Sequence, residues 1–217
     1  MTPAQVETAA RNRYNASTDN FFSQSEIFDL IYQAEQVLAV ETDCIEGVDS
    51  STSTVIGTQA YAFPTNFAAV TRVEWNGRRL VKIDMKEDDL VTALAANTTV
   101  TGDPTYYFIW NKTIYLREIP GSVQTLKVFG YKEPTALTTS PLSSTLSVPS
   151  WHHTKLVNFV TAHIAGKDKD WDGYNTYMER WDQDVERARV FEKRRKRGDR
   201  MAYVKSEEQI GYTEFGA

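Results

Sequence analysis

Cysteine and histidine are scarce in this chain, and their scarcity removes several kinds of site. Cys44 is the single cysteine among 217 residues, so neither an intrachain disulfide nor a cysteine metal cluster can form. The histidines are His152, His153 and His163. Neighbouring helical residues point about 100° apart, so the adjacent pair cannot easily bind one zinc ion. The position of His163 on an apolar stripe favours a packed or interface histidine.

Long apolar runs and catalytic motifs are missing as well. The longest uncharged runs, residues 50–71 and 134–154, are rich in serine and threonine and do not suit a bilayer. No signal peptide, nucleophile elbow or phosphate-binding loop is recognisable. Cys44 follows an acidic helix, which would raise the pKa of its thiol rather than activate it. We therefore expect neither a membrane partner nor an enzyme.

Charge is distributed unevenly along a chain whose net charge is −5. Residues 1–50 hold nine acids and two bases, whereas residues 187–200 hold eight bases and two acids. An acidic chain is not a general nucleic-acid coat. The basic residues are Arg187, Arg189, Lys193, Arg194, Arg195, Lys196, Arg197 and Arg200. They fit a solvated helix end, a docking surface for an acidic partner, or a contact with DNA phosphates.

Apolar periodicity and turn signals predict an α+β fold. Ser23 and Glu26 form a capping box that opens a helix to about Thr42, and a second helical region begins at Ser150 and ends in a long helix to about Arg197. Between these regions, residues 54–131 read as about six short strands. Asn76-Gly77 predicts the turn of one hairpin, because this pair accepts positive φ angles.

These elements predict four parts. Residues 1–46 and 148–198 are expected to form a helical bundle, and residues 47–133 an inserted antiparallel β-sheet or small barrel. Residues 134–147 form a Ser/Thr/Pro-rich linker, and residues 199–217 an extended C-terminal tail. Chain ends are often disordered, but this tail is rich in large apolar residues, which suggests instead that it orders on a partner. These residues are Met201, Tyr203, Val204, Ile210, Tyr212 and Phe215.

One acidic segment matches the EF-hand calcium-loop pattern, with acids at loop positions 1, 3, 5 and 12 and glycine at position 6. The candidate ligands are Asp168, Asp170, Asp172, Tyr174 through its carbonyl, and Glu179. Against calcium stand the single copy of the motif and Asn175 at a position that is usually apolar. A solvated turn whose acids favour the start of the next helix explains the same residues, so no cofactor is required.

Taken in order, several segments resemble the head-to-tail adaptor proteins of tailed bacteriophages, including the tail tubular protein A type. They are the acidic helix 24–42, Ala60-Tyr-Ala-Phe-Pro64, Val70-Thr-Arg-Val-Glu-Trp-Asn-Gly77, Gly102-Asp-Pro-Thr-Tyr-Tyr107, Ile114-Tyr-Leu-Arg-Glu-Ile-Pro120, residues 126–131, Val148-Pro-Ser-Trp-His152, and the closing helix pair with its basic end. None of these segments is a strict signature, so the resemblance rests on their order.

The resemblance implies a structural virion protein in the neck of the phage, made in the host bacterial cytoplasm. Members form a ring, usually of twelve copies, between the portal and a tail nozzle or hub, and genomic DNA passes through it without sequence-specific binding. Carried onto this chain, residues 201–215 would dock on the portal, and the basic residues 187–200 would lie at the portal boundary or near the channel.

A ring protomer needs two different complementary faces. The acidic N-terminal helix and the basic late helix suggest such a pair of faces, meeting between neighbouring copies. Two other functions remain open on the sequence. One is a different tail or baseplate ring protein, and the other is a calcium-binding regulatory domain that uses residues 168–179.

Overall fold

A computed structural model describes residues 1–15, 22–84, 101–137 and 145–197. Helix α1 spans Pro3–Arg13, α2 spans Gln24–Thr42, α3 spans His153–Lys167 and α4 spans Trp171–Arg197, and a short 3-10 helix, Ser150–His152, leads into α3. The capping box at Ser23 and Glu26 is present, and α2 ends where Asp43 adopts a left-handed conformation. The predicted helices are thus confirmed to within a few residues.

The helices pack as a bundle around α3. Its buried side chains Leu156 and Val160 share one core with Ile31 of α2 and Trp181 of α4. Val148, at the end of the Ser/Thr/Pro-rich linker, is buried in the same core. Residues 138–144 of that linker lie outside the described part of the chain. No helix within the described ranges is long and apolar enough to cross a bilayer.

The β region lies between α2 and the 3-10 helix in the chain. Its strands are β1 (Glu46–Ser53), β2 (Ala60–Ala62), β3 (Phe67–Trp75), β4 (Arg78–Arg79), β5 (Val81–Lys82), β6 (Thr101–Gly102), β7 (Tyr106–Trp110), β8 (Thr113–Arg117), β9 (Ile119–Pro120) and β10 (Thr125–Lys132). They form two four-stranded sheets, ordered β1-β10-β3-β4 and β2-β8-β7-β5, and a small β6-β9 pair. The described strands therefore form open sheets and not a closed barrel.

The strand pairing is mainly antiparallel, but β5 pairs with β7 and β6 with β9 in parallel. The Asn76-Gly77 hairpin is confirmed, with both turn residues at positive φ. The strand predicted to start at Thr54 is shorter than expected, since only Ala60–Ala62 pairs there. The two large sheets enclose an apolar core that includes Trp75, Leu116 and Val128. The α+β class is therefore confirmed, while the predicted domain boundaries stay predictions.

Candidate docking surface on the C-terminal helix

Helix α4 has a buried face and an exposed face along its whole length. Trp181, Ala188 and Glu192 are buried against the bundle, because residues at this spacing recur on one side of an α-helix. The opposite side of the last three turns is cationic, with Arg187, Lys193, Arg194 and Arg197 exposed. We call these four residues the outward cationic face.

Glu192 joins α4 to the 3-10 helix that precedes α3 through its buried carboxylate. Its Oε1 accepts hydrogen bonds from Trp151 Nε1 and His152 Nε2, each at 2.9 Å, and its Oε2 accepts one from Arg195 Nε at 2.6 Å. Burial alone would raise the pKa of Glu192, but the hydrogen bonds from Trp151, Arg195 and His152 outweigh it and lower the pKa. The carboxylate is therefore charged and holds three donors in place.

His152 complements Glu192 as a neutral side chain. Burial lowers its pKa, although the hydrogen bond to Glu192 opposes that shift. Its Nε2 carries the hydrogen given to Glu192, and its Nδ1 is buried without a hydrogen-bond partner among the described residues. Like His153, His152 is packed inside the bundle, and His163 is partly buried beside Phe159. His163 therefore packs against Phe159 within the bundle, and a position at an interface between copies stays a prediction.

Much of the basic segment pairs with acids of the same chain. Arg189 contacts Glu41, and Arg195 Nη2 lies 2.6 Å from Glu46 Oε1. Lys196 donates to the Thr42 carbonyl at 3.1 Å and lies over the Tyr131 ring. These contacts join the end of α4 to the end of α2 and to the β region.

The expectation that the acidic and basic helices meet between copies must therefore be corrected for three cations. Arg189, Arg195 and Lys196 are engaged within one chain, because α4 packs directly beside the end of α2. On the outward cationic face, the positive charges outnumber the acids that pair with them. Arg187, which is 74% exposed, forms a long ion pair with Asp184 at 3.9 Å, whereas within the described ranges no acid pairs with Lys193, Arg194 or Arg197. Arg200 lies outside the described residues.

Apolar surface adjoins these cations. Val190 lies among them on α4 and is 40% exposed. Trp151 is 48% exposed, yet its indole is fixed by the hydrogen bond to Glu192 and by contact with the Phe191 ring, 6.1 Å between centroids. Sequence reasoning included Trp151 in a family segment but not in a site. The sequence signal that could have identified Trp151 as a site residue is its position directly before His152, at a predicted helix start.

A second buried carboxylate, Glu35 of α2, holds the end of the linker. Its Oε1 accepts from the Val148 N–H at 3.0 Å, while Oε2 has no described partner. The Val148 carbonyl accepts from His153 Nε2 at 2.9 Å, so both polar groups of this peptide are satisfied. Burial raises the pKa of Glu35 to about 7, against the lowering effect of the backbone hydrogen bonds.

The predicted calcium loop has a different geometry. Asp168 ends α3, and α4 begins at Trp171, so Asp172, Tyr174 and Glu179 are helical and residues 168–179 do not form a twelve-residue loop. Asp170 instead accepts from the Gly173 N–H at 2.9 Å, as a helix N-cap does. A Cβ on Gly173 would lie 2.2 Å from the Asp170 carboxylate, which explains the glycine.

Tyr14, the residue directly after α1, hydrogen-bonds to the same acids. Its hydroxyl donates to Asp168 at 3.0 Å and lies 3.5 Å from Asp170. Burial, followed by these two carboxylates, raises the pKa of Tyr14 to about 12. No group of three or more acidic, cysteine or histidine side chains suited to a metal occurs in the part of the chain that the structure describes. Calcium binding stays a prediction, now without its expected geometry.

The residues expected to dock on the portal lie outside the described residues. They are Met201, Tyr203, Val204, Ile210, Tyr212 and Phe215. The chain enters this segment directly after α4, so the outward cationic face is its nearest described neighbour in sequence.

The fold is α+β, and the outward cationic face with its neighbouring apolar groups suits contact with other macromolecules. The chain belongs to the SU10 adaptor protein family, whose model matches residues 1–205. This is a family of phage head-to-tail adaptors, so the resemblance seen in the sequence is confirmed. No curated protein matches the chain.

Proposed function

We propose that this protein forms a ring, of twelve copies, between the portal and the tail of a bacteriophage and extends the channel through which genomic DNA passes. The match to an adaptor family along residues 1–205 carries this proposal. It supports a phage structural role and a place in the neck of the virion. It also supports a protein that catalyses no reaction. Synthesis in the host bacterial cytoplasm is a further part of the proposal.

The two ends of the ring would have different partners. Residues 201–215 would dock on the portal, as the resemblance implies, and a tail nozzle or hub would bind the opposite side. Trp110 is exposed at the β7–β8 turn and offers an anchor for that side. The resemblance implies that residues 75–79 and 110–112, at the turns of the β region, face outward or toward the tail. Trp75 does not, because it is buried and donates its indole N–H to Thr54, so it is part of the β core.

The native mass of the purified chain tests the proposal. A protomer of 24.7 kDa predicts a closed assembly of about 300 kDa at twelve copies. The same measurement on a chain ending at Arg197 separates assembly from docking. We expect the shortened chain to assemble and to lose binding to the portal ring of the same phage.

Other outcomes distinguish the alternatives. A closed ring of another size without portal affinity would indicate a different tail or baseplate component. A monomer at every concentration, with and without portal, would contradict the proposed ring.

A further inference from the structure

We infer that the outward cationic face of α4, together with Val190 and Trp151, is a docking surface for an acidic protein surface. The inference rests on the proposed function, because in that assembly the portal is the protein nearest the end of α4. It goes beyond docking by the C-terminal segment, since it assigns a contact to the folded bundle itself.

The first argument is the charge balance within the bundle. Arg189, Arg195 and Lys196 already meet Glu41, Glu46 and the end of α2. Four cations lie on the other side of the same helix. Arg187 pairs with Asp184 at 3.9 Å, whereas no described acid pairs with Lys193, Arg194 or Arg197. A concentration of like charge costs free energy unless solvent or a partner of opposite charge offsets it. An acidic partner is therefore the complementary ligand.

The second argument is the composition of the surface. Protein–protein contacts are enriched in arginine and tryptophan and often centre on a rigid aromatic anchor. Trp151 meets this description, because its hydrogen bond to Glu192 and its contact with Phe191 fix the ring while half of it stays exposed. Val190 adds exposed apolar area between the cations. A surface that served only phosphates would not need these apolar groups.

The third argument concerns DNA as the alternative ligand. The chain as a whole is acidic, with a net charge of −5, which does not favour general DNA binding. Phosphate contacts also add up, since each cation that neutralises a phosphate adds a salt-dependent increment to affinity. Repeated around a ring, four such cations in every copy would retain the DNA that the channel has to release. We therefore place this face against protein rather than along the DNA path.

A pair of matched charge reversals tests the inference. One variant carries Arg194→Glu and Arg197→Glu, on the outward cationic face. The control carries Lys169→Glu, in the turn before α4, and Arg180→Glu, within α4; both cations are exposed, and the net charge changes equally. Native mass, binding to the portal ring of the same phage, and retention on duplex DNA are measured for each, across salt concentration.

We expect the first variant to keep the wild-type mass and to bind the portal about tenfold or more weakly, with less dependence on salt. The control should bind as the wild type does. Loss of assembly in the first variant alone would place a second copy against this face and overturn the inference. Loss of DNA retention alone, or no change at all, would also overturn it. If the wild-type chain does not bind the portal, the proposed function fails as well.

Discussion

The helical bundle and the β region bury different kinds of side chain. In the described part of the bundle, Glu35, Glu192, His152 and His153 are all buried ionisable groups. In the described β region the buried carboxylate is Glu74, which pairs with the exposed Arg72, and the other buried titratable groups are the tyrosines Tyr61 and Tyr107. The β core proper is apolar apart from such neutral groups as Thr54.

This difference assigns separate tasks to the two regions. An apolar core is stabilised by burial and close packing at any pH. Buried ionisable groups couple stability to pH and fix particular partners, at a cost in desolvation. Glu192, on the buried side of α4, holds Trp151, so the polar interior of the bundle positions part of the surface that we assign to docking.

The largest effect is expected from Glu192→Ala. The change leaves the Trp151 and His152 N–H groups and Arg195 without their acceptor, and breaking a buried pair of this kind costs about 3–5 kcal/mol. Hydrogen exchange should accelerate in α3 and α4 and stay unchanged in β7 and β8. Glu186→Ala is the control, because Glu186 is an exposed residue of the same helix. Equal acceleration in both regions would show that the two cores unfold together.

A pH-dependent effect is expected from Glu35→Gln. The pKa of Glu35 is about 7 when folded and about 4.5 in its ordinary range, so the folded state binds the proton more tightly. Protonated Glu35 makes its full favourable contribution to the free energy of unfolding below pH 4.5, and this contribution is lost as the pH rises to 7. Above pH 7 the charged, buried carboxylate destabilises the protein. From pH 5 to pH 8, the free energy of unfolding of the wild type should lose about 2–3 kcal/mol through this group.

Glutamine cannot ionise, so in the variant this part of the pH dependence should disappear. Denaturant unfolding at pH 5 and pH 8 measures it, and the comparison between the two pH values cancels any constant cost of the amide. Glu179→Gln, an exposed change on α4, controls for net charge. The buried histidines act in the opposite sense, because their lowered pKa values reduce stability as the pH falls below about 6.5. An unchanged dependence between pH 5 and 8 would contradict the assignment to Glu35.

Local signals predicted the helices and hairpins, whereas pairings between distant residues were not visible in the sequence. Ser23 with Glu26 and Asn76 with Gly77 act within four residues, so they could be recognised directly. β1 was missed because Glu46–Ser53 has a single large apolar side chain and is a strand by virtue of pairing with β10. The parallel β5–β7 pairing likewise has no local signature.

The same limit applies to the docking surface. The cluster of bases was evident, but the division into paired and unpaired cations depends on contacts such as Arg195 with Glu46, which are 149 residues apart. Glu35 is equally hidden, since nothing near it in sequence shows that Val148 will donate to its carboxylate. The acidic segment 168–179 is an example of a misleading local signal. Its spacing fits a calcium loop, but the chain is helical from Trp171 onward.

The smallest effect is expected at that acidic segment and decides between its two interpretations. If Asp170 is the N-cap of α4, Asp170→Ala should lower the free energy of unfolding by about 1 kcal/mol, with or without calcium. Asp170→Asn should retain most of the stability, because asparagine also caps helices well. Asp172→Ala, within the helix, is the matched control. Thermal unfolding of all four proteins, with millimolar calcium or with a chelator, measures these differences. A calcium-dependent rise in the wild-type Tm that Asp170→Ala and Asp172→Ala both abolish would instead support the metal site, since ligand binding to the folded state adds to its stability.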